Sequence, residues 1–350
     1  MNPARPFRTA TLADVAEVAG VSKITASRAL TNPSLVSAQT IARVREAVQQ
    51  TGYFPNMLAG GLKSTRSMTV ACLVPAISVA QFLPTVQALT ERLAAAGYQL
   101  VLGQTGYDHS REEALIDAMV ARRPDGLVVA GLVHSRAARD KLRRIGLPVV
   151  ETWDLSDQPI DKVVGFSHVR VGEAVGEFFR RKGWRRIGIA TGDDARAALR
   201  RQGFVAALGH EVPIAVGPAP SNMALGRRAL DRLMILDPGL QAVCCSSDQL
   251  AQGVISEAQA RGLRVPQDLA VCGFGEADFA AHMVPSLTTV QIDGAAIGDR
   301  AAQLIIAGCR GEAVTESIID LGFRIVERDS TRTDAALPQR RPTRPRAARA

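Results

Sequence analysis

The chain has 350 residues, of which 47% are hydrophobic, 22% charged and 4% aromatic, enough for two or three domains around a large core. So few aromatics argue against a wide stacking platform for single-stranded nucleic acid, and the longest clean apolar run, near 68–75, is far too short to span a bilayer. The Met-Asn-Pro-Ala-Arg-Pro-Phe-Arg start has no apolar signal core behind it, so a cytoplasmic location is expected.

The five cysteines, Cys72, Cys244, Cys245, Cys272 and Cys309, are odd in number, lie mostly in apolar runs and show no Cys-x-x-Cys spacing. Reduced core thiols are expected, with no metal site and no cofactor. Charge is unevenly placed. Residues 1–66 carry eight Lys/Arg against three acids, residues 331–350 carry six Arg against one acid, and the body between them is close to neutral. A basic N-terminal module on a neutral body suits an acidic polymer as partner, although a solvated charged face would look the same.

Thr11 and Asp14 form a capping-box pattern ahead of Leu12, Val15, Ala16 and Ala19 at helical spacing, and Gly20 stops that helix. Ser22 caps a second helix from Lys23 to about Leu30, which Asn32-Pro33 breaks. Ser37 caps a third, whose buried stripe is Ile41, Val44, Ala47 and Val48, and Gly52 ends it. Two short helices joined by a tight Gly-containing turn with a third behind them make a helix-turn-helix over 9–54. In that geometry the second helix enters the major groove. Lys23 and Arg28 can donate to guanine, Ile24 can pack on a thymine methyl, Ser27 lies on the same exposed face, and Ser22 and Thr25 can hold phosphates. The following segment, 55–66, contains Gly60-Gly61, so it should not be a stable helix alone. Gly61-x-Lys63-Ser64 lacks the first glycine of a phosphate loop, because Asn56 stands there.

The run Thr11-Leu12-Ala13-Asp14-Val15-Ala16, Ala19-Gly20-Val21-Ser22, Ser27-Arg28-Ala29-Leu30, Val36-Ser37 and Gly52-Tyr53-Phe54-Pro55-Asn56 resembles the LacI/GalR family of bacterial repressors. The resemblance extends to about Glu327. It implies a homodimer that reads a palindromic operator, and a hinge helix over 55–66 that forms only on DNA. It places Lys23, Ile24 and Arg28 at base-reading positions and Ala59 and Leu62 at minor-groove hinge positions, with Leu62 as the wedge at the central step. Asn56 is counted with these DNA-facing residues. Gly60-Gly61 departs from the better helix formers usual in the hinge.

From 67 to 330, β-branched runs alternate with amphipathic stretches. Strands are expected at Thr69–Val74, Gln99–Gly103, Gly126–Ala130 and Val149–Glu151, then at Arg186–Thr191, Ile214–Val216, Ala242–Cys245 and Leu269–Phe274. Helices are expected at Pro84–Ala96, Arg111–Arg122, Val169–Lys182, Leu225–Leu236 and Asp248–Arg261. Such alternation gives two doubly wound parallel sheets, an α/β two-lobed body behind the all-α module, with a ligand cleft between the lobes. The resemblance implies the same architecture, like that of periplasmic binding proteins. From Thr331 the Arg/Pro/Ala-rich tail is expected to be disordered.

No G-x-G-x-x-G after a strand, G-x-S-x-G or H-E-x-x-H occurs, so no enzyme is expected. Asp193-Asp194 suits helix capping better than acid–base chemistry. The resemblance assigns the effector cleft to Ser78, Gln81 and Phe82 after the first strand, to Asp154 for a sugar hydroxyl and to Arg200 for polar groups. It adds Ser221 where many members carry a stacking aromatic, Ser247-Asp248 where Asn-Asp is usual, and Gly275-Glu276 where Asp is common. A missing aromatic at 221 with a retained arginine implies an anionic ligand. Pro148-Val149-Val150-Glu151, Val164-Gly165-Phe166-Ser167, Leu321-Gly322-Phe323 and Lys23-Ile24-Thr25 are similar to gluconate-operon repressors of the family. The implied effector is a sugar acid such as gluconate or its phosphate, with another small sugar or metabolite as the alternative. The rival readings are a solute-binding protein of a transport system and an enzyme with a fused DNA module. No leucine heptad follows Glu327, so a dimer is expected and no tetramer.

Overall fold

The computed structural model describes residues 10–54, 66–107 and 109–332. The hinge positions Asn56, Ala59 and Leu62, and the tail beyond 332, lie outside the described residues. The chain divides between Met68 and Thr69 into two compact units.

The first unit holds α1 (Leu12–Val18), α2 (Lys23–Thr31) and α3 (Ala38–Thr51). Thr11 and Asp14 cap α1 reciprocally, the Thr11 amide donating to Asp14 Oδ2 at 2.7 Å. Gly20, with a φ of 62°, makes the turn into α2, and left-handed Gly52 closes α3. Ser22 and Ser37 accept from the amides three residues on. Val15, Ala16, Ala19, Ala26, Ala29, Val44 and Ala47 form the buried core of this module, and Ile41 and Val48 pack against it.

The second unit begins with β1 (Thr69–Val74), α4 (Leu83–Ala95), β2 (Gln99–Gln104), α5 (His109–Val120), β3 (Gly126–Ala130), α6 (Arg136–Ile145), β4 (Val149–Thr152) and β5 (Lys162–Gly165). It continues with α7 (His168–Arg181), β6 (Ile187–Gly192), α8 (Ala195–Leu208), β7 (Ile214–Gly217), α9 (Met223–Leu236), β8 (Ala242–Cys245), α10 (Asp248–Ala260) and β9 (Ala270–Phe274). The last elements are β10 (Thr288–Gln291), α11 (Gly294–Arg310), β11 (Ile318–Asp320) and β12 (Arg324–Val326).

Two six-stranded sheets form, ordered β11-β5-β4-β3-β1-β2 and β12-β10-β9-β8-β6-β7. Every strand pair between them is parallel except β10 with β12. Strands β3 and β9 are buried along their whole length, as expected of parallel strands with helices on both faces. The edge strand β2 is largely exposed. Each lobe has its own apolar core, one around Leu73, Leu127 and Leu142 and one around Leu230, Val243 and Val254. The chain crosses between the lobes at 165–168, 291–294 and 320–324.

The expected strands and helices are all present, with shifts of one or two residues at some ends. The structure adds β5, β10, β11, β12, α6, α8 and α11. Thr331, expected to open the disordered tail, is instead fully buried, and its hydroxyl meets Thr288 Oγ1 at 2.6 Å. The five cysteines are free thiols. Among the described residues no helix is long and apolar enough to cross a membrane.

Candidate functional site

Two sites emerge, one in each unit. On α2 of the first, Lys23, Ile24 and Arg28 are exposed, and Ile24 keeps 65% of its surface open. An isoleucine left so bare on a small module has no folding role there, because the core is closed by Ala26 and Ala29 on the opposite face. Ser27 is half-buried and its carbonyl accepts from Thr31 Oγ1. Ser22 and Thr25 share a hydroxyl hydrogen bond of 2.8 Å at the helix start.

The second site is the cleft between the lobes, at the carboxyl ends of the strands, where open α/β sheets bind ligands. Its larger part is a cavity of about 340 Å³ lined by Thr105, Tyr107, Glu112, His134, Asp154 and Arg196 among others, a size typical of small-molecule pockets. An adjoining part is lined by Gln81, Tyr107, Trp153, His168, Arg196, Arg200, Ser221 and Ser247. Helix α8 supplies both arginines one turn apart. Asp194 caps that helix, accepting from the Ala197 amide at 3.0 Å, while Asp193 accepts from the Ala219 amide at 2.8 Å.

Arg200 donates from Nη1 to His168 Nδ1 at 2.9 Å and from Nη2 to the Ser246 carbonyl at 3.1 Å. Its guanidinium lies 4.0 Å from the Phe274 ring centroid. Burial lowers its pKa to about 10, with the Asp194 carboxylate opposing that shift. Arg196 stacks over Phe82 at 5.3 Å, and among the described residues its guanidinium makes no hydrogen bond or ion pair. Burial pushes the Tyr107 phenol up as well. Trp153, just past β4, adopts a left-handed φ of 63°, held by its amide to Val164 O and its indole N–H to Thr85 Oγ1. A bulky residue in that region is costly and tends to occur at functional sites.

Asp154 is only 8% exposed, and burial raises its pKa to about 6. The folded carboxyl therefore binds its proton more tightly than the unfolded one. Stability is greatest below the unfolded value of 3.8 and falls as pH rises through about 6. Asp154→Asn is expected to raise the unfolding free energy at about pH 8 by up to about 3 kcal/mol, and far less at about pH 4. Urea midpoints at the two pH values check this, and equal shifts at both would remove burial of the charge as the cause.

Of the residues singled out in sequence, Gln81, Asp154, Arg200, Ser221 and Ser247 line the cleft. Others turn elsewhere. Asp248 is buried and its carboxylate accepts from Thr289 Oγ1 at 2.6 Å and the Ala277 amide at 2.7 Å, so it ties α10 to β10 and to the loop after β9. Glu276 pairs with Arg328 and, with Gly275, borders a separate groove that Gln81 also reaches. Phe82 is buried edge-on against Trp153. Ser78 is exposed. The expected lack of an aromatic is corrected too, since Tyr107 lines the cleft, backed by the buried Trp153, although position 221 carries a serine. Sequence reasoning missed Arg196, Tyr107, Trp153 and His168. The signal for Arg196 was its i, i+4 spacing from Arg200 behind the Asp194 cap.

Residues 11–56 match the family described as bacterial regulatory proteins, lacI family, and residues 177–331 match a periplasmic binding protein-like domain. The HTH-type transcriptional regulator GntR of Pseudomonas aeruginosa is 36% identical over 330 residues, covering 92% of this chain and 95% of that protein. The HTH-type transcriptional repressor CytR of Escherichia coli is 30% identical over 336 residues, covering 94% and 97%. Among solved structures, a LacI-family transcriptional regulator from Silicibacter pomeroyi superposes with a TM-score of 0.86 at 34% identity, covering 92% and 99%. These relatives are regulators and not enzymes. With similarity of this degree running over nearly the whole length of both chains, the protein belongs to the LacI family of DNA-binding transcriptional regulators.

Proposed function

We propose that the protein is a homodimeric repressor of sugar-acid catabolism genes, binding a palindromic operator and responding to gluconate or its phosphate. Repressors of this family bind operator DNA and small-molecule effectors and function as dimers. The observation that carries the effector reading is the arginine pair of α8. Arg196 and Arg200 both face the cleft, and neither has an ion-pair partner among the described residues. Two guanidiniums free of direct ion pairs suit a carboxylate or phosphate through charge-assisted bonds. Asp154, across the cavity, suits the hydroxyls of a polyol chain. The relative named GntR supports the same choice.

Calorimetry on the purified chain with gluconate, gluconate 6-phosphate, a neutral hexose and a purine tests the reading. Binding of an anionic sugar and none of the neutral compounds is expected. Binding of the hexose or purine alone would overturn the sugar-acid effector and leave the regulator intact.

The DNA assignment has its own test. Arg28→Ala is expected to cost about 1–3 kcal/mol on the specific operator and far less on non-specific DNA, because a bidentate base contact carries discrimination. Mobility shifts on both DNAs measure it. An equal loss on both would make Arg28 a phosphate contact.

A further inference from the structure

Arg200 does not hold its place in the cleft alone. The His168 ring, 2% exposed, sits between the guanidinium and the backbone that follows β4. Its Nε2 lies 2.9 Å from the Trp153 carbonyl, and its Nδ1 lies 2.9 Å from Arg200 Nη1. A carbonyl only accepts, so Nε2 carries the proton and donates. A guanidinium only donates, so Nδ1 is bare and accepts. Both partners together require the neutral Nε2–H form of the ring.

The surroundings agree with this. The ring packs 4.7 Å from Phe166 and 6.2 Å from Phe274, centroid to centroid. The charged groups nearest it are the cations Arg200 and Arg196 of α8, with Asp154 across the cleft. Burial, and then these two cations, hold its pKa well below the usual histidine range. Arg200 consequently hydrogen-bonds only to neutral acceptors, His168 Nδ1 and Ser246 O, and feels the Asp194 and Asp154 carboxylates only through space. Its Nε is buried with no partner, which leaves the guanidinium short of acceptors inside the protein.

We propose that His168 is a positioning residue that fixes the orientation of Arg200 without adding a countercharge, and so sets the preference of the cleft for an anion over a neutral polyol. This rests on the reading of the cleft as a sugar-acid site. It goes beyond it by assigning the selectivity to a buried residue that acts through Arg200. A carboxylate in the place of the imidazole would hold Arg200 equally well and cancel its charge.

The test compares His168→Asn with His168→Asp in the full chain. The two side chains have nearly the same shape, and each offers an oxygen near the position of Nδ1. Calorimetry uses gluconate and the neutral polyol glucitol as probes. His168→Asn is expected to bind gluconate within about threefold of wild type, and His168→Asp at least about tenfold more weakly. Glucitol should not show that loss. Equal gluconate affinity in the two folded variants would overturn the proposal.

A second readout needs no ligand. Nitrogen-15 NMR of the free wild-type protein is expected to show one imidazole with a bare Nδ1 near neutral pH, and an Arg200 side-chain signal that moves in His168→Asp. A protonated Nδ1, or an Arg200 signal that stays in place, would overturn it. Failure of wild type to bind gluconate would sink the sugar-acid effector instead, while the NMR outcome still decides the role of His168.

Discussion

Arg200→Ala is expected to weaken gluconate binding at least about tenfold while leaving ligand-free operator binding unchanged. The side chain reaches the cleft from α8 and is held by His168, Ser246 and the face of Phe274. A charge-assisted contact left unmade in a closed cleft costs about 1–3 kcal/mol or more. The helix-turn-helix core is built from its own residues, so the truncation leaves it folded. Arg200→Lys keeps the charge but lacks the planar fork that meets His168 and Ser246 together, and an intermediate loss is expected. Such a repressor would be held in its ligand-free state, because a ligand shifts an equilibrium only by its differential affinity for the two states. Calorimetry with gluconate and mobility shifts with operator DNA measure the two effects. Gluconate affinity equal to wild type in Arg200→Ala would exclude this residue as an anion contact, and Arg196 would then carry the charge recognition alone.

Much of the architecture is legible in the chain because its signals are local. The caps at Thr11, Ser22 and Ser37 and the stops at Gly20 and Gly52 each act within a few residues, and the first unit follows them closely. The long apolar strands such as β3 are equally plain. Strands β11 and β12 have three residues each, too few to show a period, and they exist because the returning chain adds them to sheets already formed. Helix α8 hid behind Gly203, which weakens its helical pattern, and Arg196 was hidden with it.

The site divides in the same way. A sequence position fixes the loop a side chain leaves from, but its destination depends on partners far along the chain. Asp248 is claimed by Thr289 and Ala277, and Glu276 by Arg328. Asp154 and Arg200 meet no such competing carboxylate or guanidinium, and they remain turned to the cleft. The aromatic missing at Ser221 comes instead from Tyr107, on the loop after β2, backed by the buried Trp153 after β4, and no reading of a single position could bring the two together.

Gly172→Ala is expected to destabilise the second unit by about 2–3 kcal/mol and to blunt its response to effector. Alanine in place of glycine inside a helix ordinarily gains about 1 kcal/mol. At this position the gain is outweighed. A Cβ on Gly172 would stand 2.0 Å from the Arg200 carbonyl and 2.7 Å from the Phe204 amide. These are backbone atoms of α8, so no side chain can swing away. Gly203 faces the same crossing from the other side, where a Cβ would come 2.0 Å from the Val169 carbonyl. The helices α7 and α8 thus touch backbone to backbone, and relief requires one of them to shift. The same two helices carry His168 and Arg200, whose 2.9 Å hydrogen bond spans the crossing. A shift large enough to admit a methyl group stretches that bond and turns the guanidinium away from its aim. Urea unfolding with an unchanged slope measures the loss of stability, and gluconate calorimetry measures the loss of aim. A variant as stable as wild type would mean that the helices part freely at this point, and that the close crossing is not what holds Arg200 in register with His168.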